Sequence, residues 1–327
     1  ITGDPETTLP LLLRHDWTTR PGIPGVRQQN ALGQIVEGPP ERGDSLDHVP
    51  SADRHVFPWQ NYATHPLRDS GPEATLSTSR GCRFACSFCP VPRCQGGRWR
   101  GGPVDAVVEE ATHLSRRLGV RTLLIEDDEP LAERERFVTL LRRLHAAAPS
   151  LGIEFRNGLR GDLLDEDLID VMAAAGTTRF ALGVETATER GRAALGRPLG
   201  DTRLGQLVRR ARRRGIVVTG YYICGLPGEA PLATARTIAG LITSPCDYTH
   251  LSIFHPWEDL MGQQQADPLR VARLRRLRSL GYLGAYMSPL RLARLAALGD
   301  LRVTRSAALA KRLAVWIGAG ARGGGGW

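Results

Sequence analysis

Lysine is nearly missing from this chain. Of its 43 basic residues only Lys311 is a lysine, leaving 42 arginines (43 − 1) against 34 acids and a net charge of +9. So complete a skew reads as the codon bias of a GC-rich genome, and the basic balance therefore says little about a nucleic-acid partner. Arg209, Arg210, Arg212, Arg213 and Arg214 read accordingly as a solvated helix face, as do the arginines of 273–278. Long apolar runs are also missing. The longest, near 313–317, falls far short of the roughly 20 residues that span a bilayer, so no transmembrane helix is expected. The basic, amphipathic 290–317 segment reads as helix packed on a larger body. No internal period marks a solenoid or a fibre. What remains is 327 residues, 42% hydrophobic and 24% charged, enough for one large domain or two modest ones.

Residues 1–73 are rich in Pro and Gly, with short apolar pieces at 9–13 and 31–36, and read as an irregular lead-in. From residue 74 β-like runs alternate with amphipathic helices. Strands are predicted over 74–79, 121–126, 153–156, 178–184, 216–223 and 248–254, and helices over 104–118, 137–147 and 164–175. Gly119, Gly176 and Gly215 stand where C-terminal glycines end helices. Six β-α units predict an α/β fold, a partial (β/α)6 TIM-like barrel over 74–258, since a closed barrel takes eight. Residues 259–327 are expected to form a helical C-terminal extension with a disordered glycine-rich tail from Gly320.

Cysteine is sparse, and its placement argues against a disulfide framework. Three of six fall at Cys82, Cys86 and Cys89 and no signal peptide precedes them, which points to metal or redox chemistry in the cytoplasm. Thiolates are the usual ligands of iron-sulfur clusters, and three on a four-iron cluster leave one iron open for a reactant. The competing reading is zinc with Cys94, His65 or His113 as a fourth ligand, in a nucleic-acid-binding protein. No second ligand pair follows at finger or ribbon spacing. Cys94, Cys224 and Cys246 are too scattered for a second cluster, and Cys224 reads as a core thiol rather than a hydrogen donor facing a substrate.

The Cys-x3-Cys-x2-Cys loop after a first strand, with Phe88 just before its last cysteine, resembles the radical SAM superfamily. The resemblance implies that Cys82, Cys86 and Cys89 hold a 4Fe-4S cluster whose open iron chelates S-adenosylmethionine. It implies reductive cleavage to a 5′-deoxyadenosyl radical, an external reductant such as flavodoxin or ferredoxin, and Phe88 lying against the adenine. Further matches follow in family order. Glu126-Asp127-Asp128 resembles the acidic strand end that receives the SAM amino group. Gly183-Val184-Glu185-Thr186 resembles the segment whose Glu contacts SAM polar groups, with Arg197 after it. Ile223-Cys224-Gly225-Leu226-Pro227-Gly228-Glu229 is similar to the turn whose backbone at Ile223 and Gly225 approaches the adenine. Tyr222 and His255 fall at the mouth without a catalytic assignment.

The Thr78-Ser79-Arg80-Gly81-Cys82 run and the Glu-Asp-Asp end resemble the cobalamin-binding branch, which implies C-methylation of a small or natural-product substrate. Residues 2–9 resemble the segment closing a cobalamin domain, and Pro21-Gly22-Ile23, Leu46-Asp47 and Pro50 resemble the linker after it. No Asp-x-His-x-x-Gly occurs to offer cobalamin a lower ligand, so a cobalamin domain is expected upstream of Ile1 or on a partner chain. The alternative is a cobalamin-independent rearrangement, dehydrogenation or epimerisation. His255-Pro256-Trp257-Glu258-Asp259 departs from the family's Pro-Tyr-Pro-Gly-Thr. RNA methylthiolation is disfavoured because no terminal RNA-binding barrel is evident.

Overall fold

The computed structural model describes residues 4–14, 24–29, 32–39, 43–47, 49, 51–56, 71–255 and 267–298. The expectations for residues 2–3, 21–23, 50, 65, 256–259 and the glycine-rich end lie outside the described residues. In chain order the lead-in holds α1 (Pro5–Arg14), β1 (Arg27–Gln29) and β2 (Ile35–Glu37). Then come β3 (Glu73–Leu76), β4 (Ser79–Gly81), α2 (Val91–Cys94), β5 (Trp99–Gly101), α3 (Val104–Leu118), β6 (Thr122–Ile125), α4 (Arg134–Ala147) and β7 (Gly152–Leu159). They are followed by α5 (Glu166–Ala174), β8 (Thr177–Glu185), α6 (Glu189–Ala194), α7 (Asp201–Arg213), β9 (Val217–Cys224), α8 (Pro231–Thr243) and β10 (Tyr248–Ile253). Two further helices close the described chain, α9 (Pro268–Tyr286) and α10 (Pro289–Ala297).

The six predicted strands form one parallel sheet in the order β10-β9-β8-β7-β6-β3. Each strand lies beside its predecessor in the βα series, as successive right-handed crossovers produce. Strand β6 is buried at every position, as a parallel strand covered on both faces must be. The core lies between sheet and helices, where α3 contributes Val107, Ala111 and Leu114 at helical spacing and Phe137 of α4 meets Phe155 of β7 at 5.4 Å. Gly119, Gly176 and Gly215 all have positive φ after their helices, as predicted.

Three local departures from the sequence reading bear on function. Strand β3 stops at Leu76, and Ser79 belongs instead to a separate antiparallel ribbon, β4 with β5, in which Arg80 opposes Arg100 and Gly81 opposes Trp99. Strand β7 runs on to Leu159, past the predicted end at Arg156, with register shifts against β8. The lead-in is not wholly irregular. Helix α1 forms because its start is tied down: buried Asp4 accepts from Gly43 N at 3.0 Å and pairs with Arg100, while Glu6 accepts from Arg80 Nη1 at 2.8 Å. Both acids are held below the usual carboxylate range, Glu6 chiefly by its bond from Arg80, and Asp4 by Arg100 and Gly43 against the opposing effect of burial.

Among the described residues β3 and β10 do not pair, so the barrel is open and β10 is an edge. The C-terminal helices cover that edge. Leu251 N donates to Tyr282 Oη at 2.8 Å and Thr249 N to Tyr286 Oη at 3.1 Å, so two phenols of α9 take amides that would otherwise recruit another strand. Buried Arg291 of α10 reaches the C-terminal carbonyls of α8 and Thr249 Oγ1 at 2.8 Å, as a cation at a helix C-terminus should. Arg210 and Arg214 both hold Asp170 at the surface, as a solvated face does, but Arg212 departs from that expectation by reaching buried Asp247 Oδ1 at 2.7 Å and Pro245 O at 3.0 Å. Among the described residues no helix is long and apolar enough to cross a membrane.

Candidate active site at the carboxyl edge of the sheet

Residues 82–98 form a loop whose base is closed by the β4/β5 ribbon and which carries Cys82, Cys86 and Cys89 over the strand ends. The base is held from β6. Asp127, buried, accepts from Thr78 N at 2.6 Å, Thr78 Oγ1 at 2.5 Å and Ser79 Oγ at 2.6 Å, and Asp128 accepts from Gly81 N at 2.8 Å. Arg136 of α4 adds bonds to Thr78 O at 2.7 Å and Gly102 O at 2.6 Å and lies over the Trp99 ring. Trp99 Nε1 donates to Glu129 O at 3.0 Å. Gly81 has φ +81°, and a Cβ there would stand 2.0 Å from Arg98 O, so only glycine fits the turn into Cys82. Gly81→Ala is expected to leave the chain folded while cutting iron retention after anaerobic reconstitution at least severalfold. An iron assay beside far-UV circular dichroism checks this.

The three thiols sit in one electrostatic neighbourhood. Burial pushes the Cys82 thiol up, with Glu129, Cys86 and Cys89 adding to it, and burial likewise raises Cys89. Against this loop packs the segment after α6, where Gly196 O lies 4.0 Å from Cys86 Sγ. Arg197 follows, with Nε 3.4 Å from Glu185 Oε1.

Glu185 is the sole non-glycine residue with positive φ, +65°, among the described residues, and it sits where the β8/β9 register shifts. The bulge re-aims its carboxylate toward Arg197. Gly183 makes room: a Cβ there would meet Glu185 Oε1 at 2.5 Å and Arg197 Cζ at 3.2 Å. The Glu185 carboxyl, 3% exposed, is pushed up to about 7 by burial, against the pull of Arg197 and Arg160. Glu129 is also pushed up to about 7 by burial, against Leu131 N–H, Arg197 and Arg160. Of these groups Glu129 acts on Cys82, Arg197 on Cys89 and Arg160 on Cys86, and Glu185 joins them through Arg197. Arg197 Nε and Nη1 are buried without a hydrogen-bond partner.

The remaining predicted residues fall as follows. Phe88 is half-buried on the loop, and Ile223, half-buried, ends β9 beside buried Cys224. Gly225 has φ +79°; its amide donates to Glu229 Oε2 at 2.6 Å, its carbonyl accepts from Arg270 at 2.6 Å, and Leu274 packs against its Cα, with Cδ1 2.6 Å from where a Cβ would stand. Cys224 and Cys246 are fully buried, each pushed up to about 11 by burial. Tyr222 is buried and His255 exposed. Asp127 and Asp128 spend carboxylate oxygens on the loop base, while Glu129 acts on the Cys82 thiol and Asp128 on that of Cys89.

Sequence reasoning passed over Glu129, Arg160 and Arg136. Glu129 extends the Glu-Asp-Asp run by one residue, a signal that was there to read. The two arginines had no signal, because in a chain with 43 basic residues another arginine is unremarked.

A partial parallel barrel with a three-thiol loop and a buried acid–arginine pair at its carboxyl edge defines a cofactor-bearing α/β domain, since strand ends are where such folds bind ligands. Residues 76–238 match the Radical SAM superfamily: the chain carries a radical SAM domain. That family works with a 4Fe-4S cluster and S-adenosylmethionine. The chain is 26% identical over 226 residues to an uncharacterized methyltransferase of Pyrococcus horikoshii, covering 69% of this chain and 48% of that protein. It is 28% identical over 190 residues to cytidylyl-2-hydroxyethylphosphonate methyltransferase of Streptomyces wedmorensis, covering 56% and 35%. It thus spans less than half the length of these relatives. Among solved structures, the radical S-adenosylmethionine methyltransferase TsrM of Kitasatospora setae, with cobalamin and a [4Fe-4S] cluster bound, superposes with a TM-score of 0.61 at 21% identity, covering 77% of this chain and 50% of that one. The cobalamin-dependent radical enzyme OxsB superposes with a TM-score of 0.57 at 14% identity, covering 77% and 36%. At such identities these likenesses show the fold.

Proposed function

We propose that this chain is the reacting barrel of a radical SAM enzyme, with Cys82, Cys86 and Cys89 as the cluster ligands. When bound, a 4Fe-4S cluster supplies the electron that cleaves S-adenosylmethionine to methionine and a 5′-deoxyadenosyl radical, which abstracts hydrogen from a substrate. The observation that carries this reading is a buried acid–arginine pair beside the loop of three cysteines, in which Arg197 Nε and Nη1 face Glu185 without making a hydrogen bond. An unmade buried hydrogen bond costs about 1–3 kcal/mol, so a ligand that supplies acceptors there is favoured. The amino-acid end of S-adenosylmethionine suits it, its carboxylate for Arg197 and its amino group for Glu185 or Glu129. Phe88, Ile223 and Gly225 are assigned to the adenine side. Asp127 and Asp128 are assigned to holding the loop.

In this proposal residues 74–258 react, 1–73 link to a neighbouring domain and 259–327 cover the barrel. C-methylation of a small or natural-product substrate is supported by the methyltransferase names of the relatives, and cobalamin by the contents of the structural neighbours. Cobalamin would reside on a domain upstream or on a partner chain. A flavodoxin or ferredoxin would supply electrons in the cytoplasm.

Anaerobic reconstitution tests the reading, with iron, sulfide, zinc and cobalt counted and dithionite-driven 5′-deoxyadenosine release assayed. The expected result is about four irons per chain with S-adenosylmethionine cleavage. Stoichiometric zinc without cleavage would overturn it. Cobalamin retained by the chain or its partner selects methyl transfer; cleavage without it selects a cobalamin-independent rearrangement, dehydrogenation or epimerisation.

A further inference from the structure

Arg160 directly follows the prolonged end of β7, and its guanidinium, 3% exposed, is turned into the cysteine loop. Nη1 lies 3.2 Å from Cys86 Sγ, Nη2 donates to Gly196 O at 2.7 Å and to Asp162 Oδ2 at 2.8 Å, and Cζ lies 3.9 Å from the centroid of the Phe84 ring. Four groups therefore fix one buried cation against one sulfur: an aromatic face, a backbone carbonyl, a carboxylate and the thiol itself. Such a cation is placed to act on charge at that sulfur, and in a site shielded from water its effect is large.

We infer that Arg160 is a positioning residue that raises the reduction potential of the cluster through Cys86. The inference rests on Cys86 being a cluster ligand, as proposed above. Hydrogen bonds to cluster sulfurs and nearby net charge are among the factors that set iron-sulfur potentials, and both a donated N–H and a positive charge favour the reduced, more negative form. Asp162 opposes this. Its carboxylate, about one-fifth exposed, partly neutralises Arg160 while touching neither thiol nor strand end, so the two residues should move the potential in opposite directions.

The test is an EPR-monitored redox titration of the anaerobically reconstituted full chain, without S-adenosylmethionine or substrate. Arg160→Gln is expected to lower the reduced-to-oxidised ratio at a fixed poise about tenfold, a midpoint lower by about 59 mV for a one-electron couple. Asp162→Asn is expected to raise the midpoint, by a smaller amount. Opposite signs support the inference, because a merely structural role would not invert between partners. Unmoved midpoints, or shifts of one sign in both variants, overturn it. Should Arg160→Gln fail to load iron, Asp162→Asn decides: a raised midpoint supports the inference, and an unchanged or lowered one overturns it. Absence of any four-iron signal in the unaltered chain overturns the ligand assignment and this inference with it; a normal signal with unmoved midpoints overturns the inference alone.

Discussion

Cys86→Ala is expected to abolish cluster retention and 5′-deoxyadenosine formation together, whereas Cys224→Ala is expected to keep both. The two thiols differ in surroundings rather than in kind. Cys86 sits on a loop with Cys82 and Cys89, facing Gly196 and Arg160, with no strand packing to satisfy. Removing it leaves two thiolates for four irons, and the product should fall to the level of a reaction without enzyme. Cys224 ends β9 inside the apolar core, outside the cysteine loop, and burial holds its thiol up at about 11, so at neutral pH it is a protonated core thiol. Its loss should cost stability on the order of 1 kcal/mol. Metal analysis and product chromatography on both variants decide the matter. Continued 5′-deoxyadenosine production by Cys86→Ala would refute the ligand assignment.

The second large effect is in pH. Burial raises the Glu185 carboxyl from 4.5 to about 7, so between those values the unfolded chain releases this proton and the folded chain keeps it. Stability therefore falls as pH rises from 4.5 to about 7 and levels off above, by about 3 kcal/mol at most for such a shift. A ligand amino group that donates to Glu185 favours the ionised form, so binding is linked to loss of that proton. S-adenosylmethionine affinity of the reconstituted protein is expected to rise about tenfold from pH 6 to pH 8. Glu185→Gln should flatten that rise and make the chain more stable at pH 8. Calorimetric titration of both proteins separates the linkage from the ligand's own ionisation, which is common to the pair. An unchanged pH profile in Glu185→Gln would remove Glu185 from the binding site.

The strand order was legible because each β run is short, apolar and followed by a helical stripe that ends at a glycine, a pattern that local sterics and burial alone impose. The cysteine loop was legible because thiol spacing is chemistry on the face of the sequence. The division of labour among the acids was not. Asp127, Asp128 and Glu129 are adjacent carboxylates of similar chemistry, and how loop-binding and nearness to the thiols are shared among them depends on where the chain turns after β6. The extension of β7 was hidden for a like reason: Asn157 and Gly158 look like a turn, and they stay in the strand as a bulge of β7, which advances four residues from Phe155 to Leu159 while β8 advances two, with Asn157 Nδ2 donating to Asp127 O at 3.1 Å. Arg160 was hidden by composition, one arginine among many.

The contacts of Asp4 and Glu6 with Arg80 and Arg100 change what it means to cut this protein into parts. A barrel trimmed just before β3 would keep every strand and every cysteine. It would nonetheless lose the shielded pair of Arg100 with Asp4, the bond from Arg100 to Gly43 O at 2.8 Å and the bonds from Arg80 to Glu6, all of which brace the ribbon. The loss would fall on the ribbon that clasps the cysteine loop, where Arg80 stands two residues from Cys82. An excised barrel is thus a poor miniature of the whole, looser at the very place where it must grip iron, and the shortest faithful version of this protein begins no later than residue 4.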